Sequence, residues 1–214
     1  MGGGLVIVNI AEQEAAKYAQ LWAEVPEYRA YSPGLENVTR FMGVAQPEMK
    51  TSVIDLGCGS GEAGLQLREL GLDVSWLDIT DAGLHEDVPR HRFHERPLWS
   101  RWPSPHGYDF GFCCDVMEHM PPEYTMLVLD RVISACRVAY FTIAFVPDEF
   151  GKAIDQPLHL TVRPFAWWRD HLKSMAHLHE ARDLCGAGMF MVSSRHRIGN
   201  GSGERRIAPG DVQP

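Results

Sequence analysis

The spacing of apolar residues changes along the chain. Residues 12 to 24 carry a helical mixture of Ala, Glu, Gln, Lys and Leu that includes Tyr18 and Trp22. Pro26 and the turn Ser32-Pro33-Gly34 interrupt it, and Leu35 to Gly43 reads as a second short helix. At Thr51 the character shifts. Ser52-Val53-Ile54-Asp55-Leu56 is a short buried-type strand, followed by a Gly-rich turn and a helix from about Gly61 to Leu70. Leu72 to Leu77 is a second strand closing on Asp78, and His91 to His94 a third. Tyr108 to Cys114 reads as a fourth strand, Pro121 to Cys136 as a helix, and Arg137 to Val146 as a fifth strand. Pro164 opens a helix carrying Phe165, Trp167, Trp168 and Leu172. His177 to Asp183 and Met189 to Ser194 predict a closing hairpin, and from His196 onward the chain is polar and Gly-rich.

Strands alternating with helices predict a mostly parallel sheet with helices on both faces. The expected organisation is an N-terminal helical cap over 1–50, a core over 51–195 and a flexible tail over 196–214. In such sheets a ligand binds beyond the carboxyl ends of the strands, near the reversal in strand order. The loops that matter therefore follow Leu56, Leu77, His94, Cys114 and Val146.

Composition narrows the class. With 214 residues, 45% hydrophobic and 22% charged, the chain suits one domain that needs no disulfide or metal staples. A net charge of −8 makes it a poor fit for unselective binding to nucleic acid or anionic membrane. The longest nearly apolar run, Ala139 to Val146, is far short of the ~18 residues of a membrane span. Met1 to Val6 has no basic n-region, and none of the five cysteines forms a C-x-x-C pair. A reduced cytoplasmic protein is expected.

The most informative loop is Asp55-Leu56-Gly57-Cys58-Gly59-Ser60-Gly61, with Asp78 ending the next strand. Closely spaced glycines allow a tight turn and close approach of a ligand to the main chain. An acid at Asp78 can accept hydrogen bonds from both hydroxyls of an adenosine ribose. Gly59-Ser60-Gly61-Glu62-Ala63-Gly64 formally satisfies the dinucleotide pattern G-x-G-x-x-G, so a nicotinamide-dependent oxidoreductase is one reading. Asp55 before the glycines and Glu62 at the helix start oppose it, because both would repel a pyrophosphate. A cationic ligand such as S-adenosylmethionine, with a sulfonium and an ammonium, suits both acids.

Val53-Ile54-Asp55-Leu56-Gly57-Cys58-Gly59-Ser60-Gly61 resembles motif I of the class I S-adenosylmethionine-dependent methyltransferases. Asp109 to Pro121, containing Cys113-Cys114-Asp115-Val116-Met117-Glu118-His119, is similar to the fourth-strand motif of the same family. The resemblance covers about residues 15 to 195. It implies a Rossmann-like, seven-stranded, mostly parallel sheet with an antiparallel last strand, and S-adenosylmethionine as cofactor with S-adenosylhomocysteine as product. On that resemblance the backbone of Gly57 and Gly59 borders the methionine part, with Cys58 and Gly61 in the same loop. Asp55 meets the ammonium, Asp78 holds the ribose, and Ile79 packs on the adenine. Leu98 and Trp99 flank the adenine, and Cys114 and Asp115 lie under the methionine arm. Tyr28 and Arg29 resemble a segment that reaches the cofactor or closes the site.

Methyl transfer is a displacement at a carbon already activated, so the protein mainly aligns the partners and excludes water. A base is needed only when the acceptor must lose a proton, as a hydroxyl does. His119, at the start of the helix after strand four, and His159, in the loop after strand five, are the candidates. Imidazole's ordinary pKa of about 6.5 suits that task; for His119 the alternative is packing against the N-terminal cap. The fourth-strand segment lacks the N/D-P-P-Y/F sequence used on DNA bases or glutamine, so oxygen of a small molecule or sugar is the expected acceptor. No metal triad is evident, which argues against a catechol-type, magnesium-dependent enzyme. His177 and His179 share a strand face without a third ligand, and no metal is expected. A methyltransferase-like binding module without turnover is the remaining alternative.

Overall fold

The computed structural model describes residues 9–30, 32–102 and 107–195; the first eight residues and the tail expected over 196–214 lie outside them. The chain runs α1 (Ile10–Glu24), α2 (Pro26–Arg29), α3 (Pro33–Ala45), β1 (Ser52–Leu56), α4 (Glu62–Glu69), β2 (Asp73–Asp78) and β3 (Phe93–Glu95). It continues with β4 (Tyr108–Cys114), α5 (Pro122–Ala135), β5 (Cys136–Ala144), α6 (Phe165–Met175), β6 (Ala176–Asp183) and β7 (Ala187–Ser194). The strands form one seven-stranded sheet in the order β3-β2-β1-β4-β5-β7-β6. All neighbours pair in parallel except β7, which runs antiparallel to β5 and β6. β3 starts two residues later than its apolar pattern predicts, because Arg90–Arg92 close a 3-10 turn first.

Each central strand is apolar on both sides, as a sheet covered on both faces requires. In β1, Val53 faces one core while Ile54 and Leu56 face the other; in β5, Tyr140 faces the first and Phe141 and Ile143 the second. α5 and α6 cover one face through Val128, Leu129, Val132, Trp168 and Leu172. α3 and α4 cover the opposite face through Val38, Phe41, Ala63 and Leu67.

The N-terminal segment divides in two. α3, expected within a cap over 1–50, is a sheet-covering helix. The fully buried Phe41 meets Phe110, Phe112 and Tyr140 edge-on at 5.3–5.5 Å. Its amphipathic face has nowhere else to hide, since the sheet side between α4 and β5 is open without it. α1 and α2 pack elsewhere. Leu21 and Val25 bury against Ile154 and Leu158 of the loop after β5, with Tyr28 and Phe150 at the margin. These two helices therefore sit over the strands' carboxyl ends rather than over a sheet face.

Among the described residues no helix is long and apolar enough to cross a membrane.

Candidate active site

Strand order reverses between β1 and β4, and the loops leaving these strands touch. Gly57 has φ +66°, and a Cβ placed on it would lie 2.6 Å from Val116 in the β4 loop. Both demands exclude a side chain, so glycine here is forced by backbone and by packing. The Gly57 and Cys58 N–H groups donate to the Leu77 carbonyl at 2.8 and 3.2 Å, which ties the turn to the end of β2. Asp78 ties it again: Oδ2 accepts from Gly59 N at 2.8 Å, and Oδ1 from Ile79 N at 2.7 Å. Burial pushes the Asp78 carboxyl up to about 6, against those backbone donors, which pull it down.

Asp55 is buried beneath the turn, where Oδ2 accepts the Gly64 N–H at 3.0 Å and fixes α4 against β1. Burial raises its pKa to about 7; the Gly64 N–H opposes this, and the Asp78 charge adds to it. The charges of the two acids oppose each other, and a cationic partner would relieve both.

α1 and α2 roof this turn. The Trp22 ring lies over Gly59, 3.2 Å from where a Cβ would stand. Trp22 meets Tyr28 edge-on at 5.0 Å, and Tyr28 meets Phe150 at 5.6 Å. Between roof and strand ends lies a cleft with two adjoining lobes. One, of about 90 Å³, is bordered by Asp78, Ile79, Leu98 and Trp99. The other, of about 290 Å³, is bordered by Asp55, Cys58, Cys114, Asp148 and His159. Gly57, Gly59, Tyr28, Asp115 and His119 border both.

The far corner of the cleft is built from the loops after β4 and β5. Asp115 turns the chain at φ 59°, a left-handed conformation that aspartate tolerates better than most residues. Glu118, fully buried, accepts the Ala144 N–H on Oε1 at 2.5 Å, while Oε2 finds no hydrogen-bond donor. Burial, the Asp115 charge and a hydrogen bond with the Asp115 side chain push its carboxyl far above the usual range. His119 Nδ1 pairs with the Tyr18 hydroxyl at 2.8 Å, joining the corner to α1. Burial lowers the His119 pKa to about 4, although Asp115 opposes it. The His159 ring stands edge-on to His119 at 4.6 Å, and its Nδ1 donates to the Val146 carbonyl at 2.6 Å. Asp148 organises this loop by accepting from Gly151, Leu158 and His159 N–H groups. Burial raises its pKa, but the three donors outweigh it and hold the carboxyl below the ordinary range.

Of the residues expected at the site, Asp55, Gly57, Cys58, Gly59, Asp78, Ile79, Leu98, Trp99, Cys114, Asp115, Tyr28, His119 and His159 all border the cleft. Two do not. The Arg29 side chain is exposed at the end of the four-residue α2, away from the lining. Gly61 caps α4, where its carbonyl accepts from buried Trp76 Nε1 at 3.0 Å, so its role is to seat the helix. Sequence reasoning missed Glu14, Val116 and Met120 as lining residues. It also missed the burial of Glu118, and it noted Tyr18 and Trp22 only as helical residues. Their i, i+4 spacing on α1 was the available signal. His177 and His179 do lie together, 4.7 Å between rings, with His179 bonded to Ser193 Oγ.

No family model matches the chain, and no curated protein sequence does. Solved structures match over nearly the whole length. The 1,6-didemethyltoxoflavin-N1-methyltransferase of Burkholderia thailandensis, solved with its substrate and S-adenosylhomocysteine, superposes with a TM-score of 0.64 at 13% identity, covering 91% of this chain and 93% of that one. The magnesium protoporphyrin IX methyltransferase of Synechocystis, with bound S-adenosylhomocysteine, gives 0.54 at 17% identity over 90% of each chain. The [4+2]-cyclase SpnF gives 0.68 at 10% identity, covering 90% and 99%. The chain has the class I, Rossmann-like methyltransferase fold. At these identities the likeness establishes the fold alone.

Proposed function

We propose that this protein is an S-adenosylmethionine-dependent methyltransferase acting on an oxygen of a small molecule or sugar. The observation that carries the reading is that the glycine turn, Asp78 and the His119–His159 pair border one continuous cleft at the strand ends. S-adenosylmethionine fits that distribution. Asp78 has one lone pair left, on Oδ2, for a ribose hydroxyl in the smaller lobe, where Ile79 and Leu98 offer apolar surface to a base. Asp55 and Asp115 supply negative charge along the larger lobe for an ammonium and a sulfonium. Two of the neighbours named above were solved with S-adenosylhomocysteine, which supports the same cofactor here. A dinucleotide is disfavoured by buried Asp55 and by Glu62 in the first turn of α4, where a pyrophosphate would sit.

When bound, the cofactor supplies a methyl group made electrophilic by its sulfonium. The chain's own residues do the rest. Trp22 and Tyr28 roof the cleft and exclude water. His159, with its Nδ1–H held by the Val146 carbonyl, presents a lone pair on Nε2 to the acceptor hydroxyl and takes its proton. His119, pushed down to about 4, is too weak a base for that task and orients the acceptor from its place beneath Tyr18. A cytoplasmic setting belongs to this reading, in line with five cysteines that are not joined by disulfides. The neighbours act on different substrates, and one is a cyclase, so the acceptor atom rests on this chain's own corner.

The test is transfer of labelled methyl from S-adenosylmethionine to a panel of phenols and sugars and to their amine counterparts. Label on oxygen supports the reading; label on amines alone overturns the choice of acceptor. Cofactor binding with no transfer to any member would favour a binding module. With an acceptor found, His159→Ala should lower kcat by about 10²–10⁴ and leave cofactor affinity unchanged. Unchanged kcat and KM would remove His159 from the chemistry.

A further inference from the structure

The cleft's far corner holds an unsatisfied group that proton transfer by His159 leaves unexplained. Glu118 is fully buried, and its Oε2 has no hydrogen-bond donor. Its neighbour is another carboxylate, Asp115, with which it can hydrogen-bond only while one of the two carboxyls holds a proton. An oxygen in that position needs either a proton or a positive partner, because a buried unpaired carboxylate costs several kcal/mol. His119 and His159 supply the remaining donors: one ligand atom from each of Glu118, His119 and His159 lies within 4.8 Å of the others. We propose that Glu118, His119 and His159, with Asp115 beside them, form a binding site for one divalent transition-metal ion.

The way each ring is held supports this. Histidine ligands ordinarily anchor one ring nitrogen on a carbonyl or polar group and offer the other to the metal. His159 Nδ1 is anchored on the Val146 carbonyl, and His119 Nδ1 on the Tyr18 hydroxyl, so Nε2 of each ring is left to coordinate. Glu118 is likewise fixed through Oε1 by the Ala144 N–H and offers Oε2. A cation about 2.0–2.2 Å from such donors holds them roughly 3–4 Å apart. The corner is thus slightly more open than a filled site. Two imidazoles with carboxylates suit manganese, iron or zinc better than calcium or magnesium. Its ligands come from the β4 loop and from a loop 40 residues onward, so no local spacing announces the site.

The inference rests on the methyltransferase reading for its purpose and changes one part of it: His159 acts through the cation rather than on the hydroxyl itself. With protein donors on one side, the cation keeps open positions toward the larger lobe. It would hold an acceptor hydroxyl there and lower its pKa as it does that of bound water, so that the hydroxyl gives its proton to bulk water before its oxygen takes the methyl group. The substrate class is then a hydroxyl with a second oxygen beside it, able to occupy two open positions.

The experiment needs neither cofactor nor acceptor. Chelator-treated, dialysed full-length protein is titrated with Mn2+, followed by loss of the free-ion paramagnetic resonance signal, and with Zn2+ by calorimetry. One equivalent should bind. Glu118→Gln and His159→Ala should each weaken it by at least about tenfold, since even groups that merely orient a ligand are worth 10–100-fold. Glu118→Gln is expected to fold as well as the parent, because its amide can donate to Asp115. No binding by the parent chain overturns the inference, and so does binding that neither variant weakens. Because S-adenosylmethionine binding is measured separately, metal binding without it would uphold the site and overturn the methyltransferase reading. The converse result would do the opposite.

Discussion

Replacing Asp78 by alanine separates what this acid does for the ligand from what it does for the fold. Its carboxylate stands at the smaller lobe with one oxygen on Gly59 N–H and the other on Ile79 and Thr80 N–H. Hydrogen bonds to a charged group contribute about 1.5–3 kcal/mol. Losing the one to the ribose should weaken S-adenosylmethionine by roughly 10- to 150-fold. Stability should change far less. Burial lifts this carboxyl from 3.8 to about 6, so holding it ionised at pH 7 costs the fold about 3 kcal/mol. Alanine removes that cost but frees three backbone N–H groups, at about 1 kcal/mol each. The two nearly cancel. Calorimetry with S-adenosylmethionine and S-adenosylhomocysteine, beside thermal denaturation, reads both quantities. Intact folding with unchanged Kd would refute Asp78 as the ribose ligand. A collapse of Tm would instead refute the balance of burial against backbone bonding.

Removing residues 1–31 should leave a folded sheet that binds cofactor poorly, because α1 and α2 roof the cleft without covering a sheet face. Extending the deletion through 43 also strips Val38 and Phe41, and should cost at least about 3–5 kcal/mol, the range for one buried aromatic. A 1–31 deletion with full affinity would show that the roof does not touch the ligand. Cofactor affinity should also rise with pH between about 5 and 8. In the empty cleft Asp55 and Asp78 titrate near 7 and near 6, and a cationic ligand requires both ionised. Binding below those values must displace protons, giving up to about tenfold per pH unit per acid. Affinity independent of pH over this window would mean that neither acid faces the ligand's charge.

The order of strands and helices was legible because the pattern of apolar residues changes period at each junction, and β1, β4, α5 and β7 lie within a residue or two of their expected bounds. The glycine turn was legible because its glycines and acids are contiguous. What eluded sequence reading depends on distant contacts. α3 looks like a cap helix until Phe41 is seen against Phe110, Phe112 and Tyr140. Glu118 reads as an ordinary charge in a loop until the Ala144 N–H and the convergence of His159 are in view. Arg29 carried a plausible charge, but the short α2 leaves its side chain in solvent.

The central claim is that this cleft takes S-adenosylmethionine. Isothermal titration of the full-length chain at pH 7.5 with S-adenosylmethionine, S-adenosylhomocysteine, NAD and NADP tests it most directly. One equivalent of S-adenosylmethionine or S-adenosylhomocysteine should bind, with both dinucleotides silent, since Asp55 and Glu62 leave no room for a pyrophosphate's charge. Tight binding of NAD or NADP, with both sulfur ligands silent, would contradict the account.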